Sequence, residues 1–393
     1  MTTKKKLAIY KILLFAFAFL VAFMPSTVSR SREVNSRVIV EILGIDGGES
    51  VSVTAQYVMP TETQGSTSKD TVTVEAETLV EAVEALNTAL GRRAELGHCS
   101  MVIVGKDAST ELLSELMSST DVTADVYLSA AEDKASELVG DLTDFMKKTG
   151  ATDADFIAYG AQKAHIATNT LLGFLSDLGS ASESAYMPIV EMIESEGGEQ
   201  GGSSGGEQGG GGQSSDGGSE KDGGQGSSEQ TGMKVERLAL YNKNGRAGIL
   251  DNFAARGVAW VSAPIEQGIV TAEVELDGKP ATNISGRLIR KYVNIKVEPN
   301  SATVMLKVFI EPNGDNFNEL DTDKSSSAKK AVKQGFAKVI KAEMETAYAS
   351  ALEVACDPLF IGRQFYRYAP KLFNSAYSPH TVNVKFKVDV VLR

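Results

Sequence analysis

Hydrophobic and polar positions alternate along this chain with two clear periods, and the clearest helical stretch lies near its end. From Ser325 to Cys356, apolar residues fall at Val332, Phe336, Val339, Ile340, Met344, Ala347, Tyr348, Ala351 and Leu352. That i, i+3, i+4 spacing makes one buried stripe, with Lys329, Lys330, Lys333, Lys338, Lys341, Glu343 and Glu345 mainly on the other side. Ser325 to Ser327 offer N-caps, and Asp357-Pro358 is expected to stop the helix. Val382, Val384, Phe386, Val388 and Val390 then alternate with polar residues, the period of a half-buried strand. A helix and a sheet with one apolar face each bury those faces against one another, so this half reads as α+β.

Upstream the pattern is mixed. Arg37 to Ile45 and Val51 to Met59 flank Asp46-Gly47-Gly48 and read as a hairpin. Val72 and Val74 predict a short strand, and Thr78 to Leu90 a helix. A buried strand follows at Cys99 to Val104, then a helix over Leu112 to Met117 and a strand at Val126 to Leu128. Leu138 to Leu178 is loosely helical. Ala185 to Ile193 contains Pro188, which predicts an edge strand. Beyond residue 232, strands are expected at Met233 to Tyr241, Ala247 to Leu250, Ile269 to Leu276, Tyr292 to Val297 and Thr303 to Ile310, with a short helix over Asp251 to Trp260. These strands, the long helix and the terminal strand are read as one sheet covered on one face. The expected architecture is multi-domain α+β, with mixed or antiparallel sheets each covered by helices.

Two stretches depart from this pattern. Glu194 to Gly232 is Gly, Ser, Gln and Glu with almost nothing apolar, and such a composition predicts disorder. No strand leads into its glycines and no Gly-Lys-Ser/Thr follows, so it is not a phosphate-binding loop. At the other extreme, Ile12 to Met24 is uninterrupted apolar behind Lys4, Lys5, Lys6 and Lys11. A basic start before an apolar run predicts export, by a cleaved signal or an uncleaved anchor, with the lysines inside and the body outside. The anchor residues are Ile12, Leu13, Leu14, Phe15, Phe17, Phe19, Leu20, Val21 and Phe23. The expected division is therefore 1–29 (signal or anchor), 30–193 (α+β), 194–232 (linker) and 233–393 (α+β).

Charge removes one class of function. The formal net charge is −12, and the positive start makes the remaining body more acidic still. General nucleic-acid binding needs a basic stripe, which is missing. Two cysteines, Cys99 and Cys356, exclude a disulfide framework and read as buried thiols. His98, His165 and His380 have no ligand spacing, so neither a metal nor a cofactor is expected. The acidic run from Asp315 to Asp323 lacks the Gly and Glu of a calcium loop. No nucleophile elbow or metalloprotease motif occurs, and Trp260 reads as core. The cluster Phe360, Arg363, Phe365, Tyr366, Arg367 and Tyr368 is a candidate partner surface, since aromatics and arginine are enriched in interface cores.

Several separated stretches together resemble the Ger(x)C family of spore germinant receptor C subunits. They are Glu33-Val34-Asn35 with Gly44-Ile45-Asp46, Gly97-His98 leading into Met101 to Gly105, and Leu238 to Tyr241 with Gly248 to Leu250 and Val258 to Trp260. The last is Ala351 to Gly362 followed by Arg367 to Pro370. The resemblance implies a non-enzymatic, extracytoplasmic protein at the spore inner membrane, working with polytopic A and B subunits to sense nutrients. Family members usually carry a lipid-attached Cys after the signal, whereas Met24 to Ser29 has none, so an uncleaved anchor is expected. The competing reading is a stand-alone exported binding module for a small molecule or cell-wall polymer.

Overall fold

The computed structural model describes residues 14, 37–60, 67–150, 159–161, 165–194, 231–262, 268–276, 279–313, 326–376 and 382–393. Arg37–Asp46 (β1) and Val51–Pro60 (β2) form the expected hairpin, and Thr67–Ala76 (β3) adds to it. Helix Leu79–Leu90 (α1) is capped by the Thr78 hydroxyl, which accepts from the Glu81 N–H. Next come Arg93–Glu95 (β4), Met101–Val104 (β5), helix Thr110–Ser119 (α2), Tyr127–Ala130 (β6) and helix Ala135–Thr149 (α3). Asn169–Thr170 (β7), helix Leu171–Leu178 (α4) and Ser184–Glu194 (β8) complete the first half.

Two expectations fail here. β8 is not an edge strand: it lies between β6 and Thr231–Asn242 (β9), and Gly245–Leu250 (β10) follows in the same sheet. The sheet tolerates Pro188 because β8 meets β6 at a single pair, Ala130 with Ile189, and its ladder to β9 shifts register just beyond, between Ile189 and Glu191. β9 and β10, grouped by sequence with the C-terminal strands, belong instead to this first sheet. Its order is β10-β9-β8-β6-β5-β1-β2-β3, four parallel strands flanked by antiparallel ribbons.

One face is covered by α1, α2 and α4, whose Leu79, Leu86, Leu113, Leu116 and Phe174 are buried against Val40, Leu43 and Val102. The other receives Leu138, Val139 and Leu142 of α3, and this core continues through helix Asn252–Ser262 (α5) into a second sheet. That sheet runs Ile269–Leu276 (β11), Lys279–Glu298 (β12), Ser301–Pro312 (β13) and Asn383–Leu392 (β14), with β13 and β14 parallel.

Between β13 and β14 come the long helix Ser326–Glu353 (α6) and two short ones, Ile361–Tyr368 (α7) and Pro370–Ala376 (α8). The apolar stripe of α6 is as expected, with Val332, Phe336, Ile340, Met344, Ala347 and Ala351 showing no exposure, but Glu343, read with the polar side, is buried at 1% because it faces Trp260. The end of α6 also differs from expectation. The helix stops at Glu353, and the chain turns at Ala355 (φ 53°), where the Cys356 N–H donates to the Ala351 carbonyl, before Pro358 is reached. Ser325 lies outside the described residues.

A bulge between Leu288 and Arg290 changes the phase of β12. Before it Ile284 and Leu288 face the core. After it Lys291, Val293, Ile295 and Val297 stand opposite the buried Val308, Leu306, Val304 and Ala302. One extra residue thus turns a lysine inward.

Candidate functional site

The site is built outward from a buried carboxylate. Asp357 is 1% exposed. Its Oδ1 accepts from the Ile361 N–H (3.0 Å), and Oδ2 accepts from the Gly362 N–H (2.7 Å) and the Ser182 hydroxyl (2.8 Å). The Asp357 N–H donates to the Ser184 hydroxyl at 2.8 Å, and the Arg363 N–H donates to Ser182 Oγ at 3.0 Å. A helix leaves its first N–H groups without partners, and a carboxylate there satisfies them and suits the dipole. Asp357 therefore ties the start of α7 to the turn before β8. Arg363 adds an ion pair to Asp177 at 3.0 Å. Burial raises the Asp177 carboxyl, with Arg363 acting against it.

Fixed in this way, α7 forms one wall of a cleft of about 700 Å³. The other walls are Val261 and Ser262 at the end of α5 and the run Val293 to Val297 of β12. The six residues singled out from sequence separate here. Arg363, Arg367 and Tyr368 line the cleft and are exposed; Phe360 also lines it but is 5% exposed, with the Arg363 guanidinium 4.4 Å from its ring centre. Phe365 is buried beneath and supports the surface rather than forming it. Tyr366 is exposed outside the cleft lining, edge-on to Phe373 at 5.5 Å. Asn294, Lys296 and Ser262 complete the cleft from far away in the chain, and nothing local in the sequence marks them.

Behind the cleft, the core between the sheets holds a polar cluster. Glu343 of α6 is 1% exposed and accepts from Trp260 Nε1 at 2.5 Å. Its other oxygen lies 3.2 Å from Arg256 Nε. Burial raises the Glu343 carboxyl, opposed by Arg256 and the indole N–H. Lys291, turned inward by the bulge, donates to the Ala259 and Trp260 carbonyls at 2.5 and 2.8 Å, and burial pushes its ammonium down to about 7. His165 sits against the Trp260 ring, 4.2 Å between centres, and among the described residues neither ring nitrogen has a hydrogen-bond partner. Burial, with Arg256 and Lys291 nearby, lowers it to about 3. The cluster joins α5, α6 and β12, and Glu343 and Trp260 are sealed from solvent.

Two further sequence features prove structural. Asp46, expected in a turn, accepts from the Ala135 and Ser136 N–H groups (2.6 and 2.9 Å) and so caps α3 from a distant strand. Cys99 and Cys356 are buried free thiols, and burial raises them to about 12 and about 11. Among the described residues no His, Cys, Asp or Glu group could hold a metal. His380 and the acidic run at 315–323 lie outside the described residues, as do the anchor residues except Leu14, which is 75% exposed. No helix among the described residues is long and apolar enough to cross a membrane.

Two helix-covered sheets joined by buried polar ties, with a cationic and aromatic cleft at their junction, define an α+β protein. Comparison with known families makes this specific. Residues 30–192 match the spore germination protein N-terminal domain, and residues 236–393 match the spore germination B3/GerAC-like C-terminal domain. The chain belongs to this GerAC-like spore germination family and is a germinant receptor subunit with a role in germination. It is similar to the crystal structure of the GerBC protein at 12% identity and a TM-score of 0.47, over 89% of this chain and 96% of that one. No curated protein matches it in sequence.

Proposed function

We propose that this receptor subunit is non-catalytic and extracytoplasmic, held at the spore inner membrane by Ile12 to Met24, and that it docks onto polytopic A and B subunits through the rim of α7. The observation that carries the reading is the exposure of Tyr366 and Tyr368, 58% and 62%, beside Arg363 and Arg367 on a helix whose base is locked by Asp357. Large aromatics and arginines on a rigid support are the side chains that dominate interface energies. The anchor rests on the apolar run behind four lysines and on the missing cysteine at Met24 to Ser29.

The test is dipicolinic acid release from spores lacking the gene, beside strains complemented with the wild-type chain or with Arg367→Glu plus Tyr368→Ala. A panel of amino acids, sugars and nucleosides is compared with a non-nutrient trigger. The expected result is loss of response to one nutrient class in the deletion and the double variant, with the control intact. A double variant that responds like wild type removes the α7 rim from the interface. A native N-terminus near Arg30 refutes the uncleaved anchor.

A further inference from the structure

The cleft has a property that side chains alone do not describe: one wall is the open edge of a strand. Among the described residues β11 pairs with β12 as far as Ile269 opposite Arg287, and the last bond on that side runs from the Leu288 N–H to the Gly268 carbonyl at 2.8 Å. β12 continues to Glu298, held on its other side by β13 through the pair Glu298 and Ser301. Among the described residues no strand pairs with the free side of this outer half. In an antiparallel pair every second residue points its N–H and C=O away from the partner. The cleft is lined by consecutive residues, Val293, Asn294, Ile295, Lys296 and Val297, although their side chains alternate between core and solvent. A lining of consecutive residues is what a strand presents edge-on.

We propose that this edge accepts an added β-strand: an extended acidic segment of a partner receptor polypeptide, seated between β12 and α7. The inference rests on the α7 docking reading and specifies how the partner binds. Five residues of strand extend about 17 Å, long enough for backbone pairing to supply affinity while the opposite wall supplies selectivity. That selectivity is electrostatic. Among the described residues the lining contains Lys296, Arg363 and Arg367 and no carboxylate; Glu298 and Asp177 pair with Lys296 and Arg363 from outside it, which leaves Arg367 as the main positive charge offered to a partner. The same charges disfavour a second copy of this chain, since pairing like edges would bring the cations together. The bulge beside Ile289 and Lys296 on the strand are the features by which sheet proteins keep open edges from pairing with themselves. An acidic partner is not excluded by either.

Hydrogen–deuterium exchange distinguishes strand addition from docking by side chains alone. The intact receptor isolated from spore membranes is compared with the purified chain. The expected result is that alternate amides between Tyr292 and Glu298 exchange roughly tenfold or more slowly in the receptor, and that Arg367→Glu abolishes both this protection and co-isolation. Unchanged β12 amides in a receptor whose assembly still depends on Arg367 and Tyr368 would overturn strand addition and leave the docking surface in place. If neither β12 protection nor dependence on α7 appears, both readings fail. Protection that arises in the chain alone as it self-associates would assign the edge to a second copy. Protection produced in the chain alone by free L-glutamate would make the cleft a small-anion site. Either result overturns the proposal.

Discussion

Replacing Asp357 by alanine removes the acceptor for three donors in a site that is 1% exposed. Hydrogen bonds to a charged group contribute about 1.5–3 kcal/mol each, and a buried donor left unmade costs about 1–3 kcal/mol. The Ile361 and Gly362 N–H groups would be orphaned, while Ser182 keeps its contact with the Arg363 N–H. Simple addition overshoots, because α7 can shift and admit water. A loss of about 3–5 kcal/mol is the expected outcome, as for breaking a buried charged pair. Asp357→Asn keeps the shape and one oxygen but turns an NH₂ group toward a donor, so it should lose about half as much. The assay is urea unfolding followed through Trp260, the single tryptophan, which is buried against His165. A loss under about 1 kcal/mol for alanine, with asparagine indistinguishable from wild type, would refute the assignment of Asp357 as the tie that holds α7.

Asp46→Ala should cost about 1–2 kcal/mol through the uncapped start of α3, read as a lower thermal midpoint by circular dichroism. Gly257→Ala should cost about 1–3 kcal/mol or more, because the added carbon would lie 2.1 Å from the Glu343 carbonyl oxygen and backbone cannot yield as a flexible side chain does; urea unfolding measures it. The folded His165 imidazole stays neutral down to about 3, against 6.5 in the unfolded chain. Between those values the unfolded state binds the extra proton, so stability is full above 6.5 and falls as pH drops toward 3. His165→Asn, which tolerates the left-handed backbone (φ 62°), should flatten that part of the unfolding profile.

What the sequence made legible was local. The stripe of α6, the alternation of β14 and the β1–β2 hairpin follow from periods of 3.6 and 2 and from Asp46-Gly47-Gly48, all within a few residues. Partnerships across the chain were not legible. β9 pairs with β8 across residues 195–230, and the Pro188 rule placed β8 at an edge because nothing local records that its contact with β6 is one pair long. The same holds at the cleft. Composition drew attention to Arg363, Arg367 and Tyr368, but Phe360 and Phe365, aromatic like Tyr368, are buried. Lys296 and Asn294 join them only through the bulge and the short reach of β11. The roles of Asp46 and Asp357 were hidden in the same way: each looked like a turn or helix-end residue, and each serves a helix start through contacts that include distant segments.

The pairing of Glu194 with Thr231 means that the chain leaves and re-enters the first sheet about one strand spacing apart, near 4.8 Å. The ends that residues 195–230 join therefore already lie side by side, and a change in the number of joining residues is expected to leave the β8–β9 ladder as it is. A cut within this stretch is expected to leave the fold assembled. Ten residue pairs of the β8–β9 ladder and the Asp357 contacts with Ser182 and Ser184 would still hold the pieces on either side of a break together. One continuous chain thus behaves at this point like two pieces that find each other by pairing, so changes to the joining stretch are expected to leave the fold on either side intact.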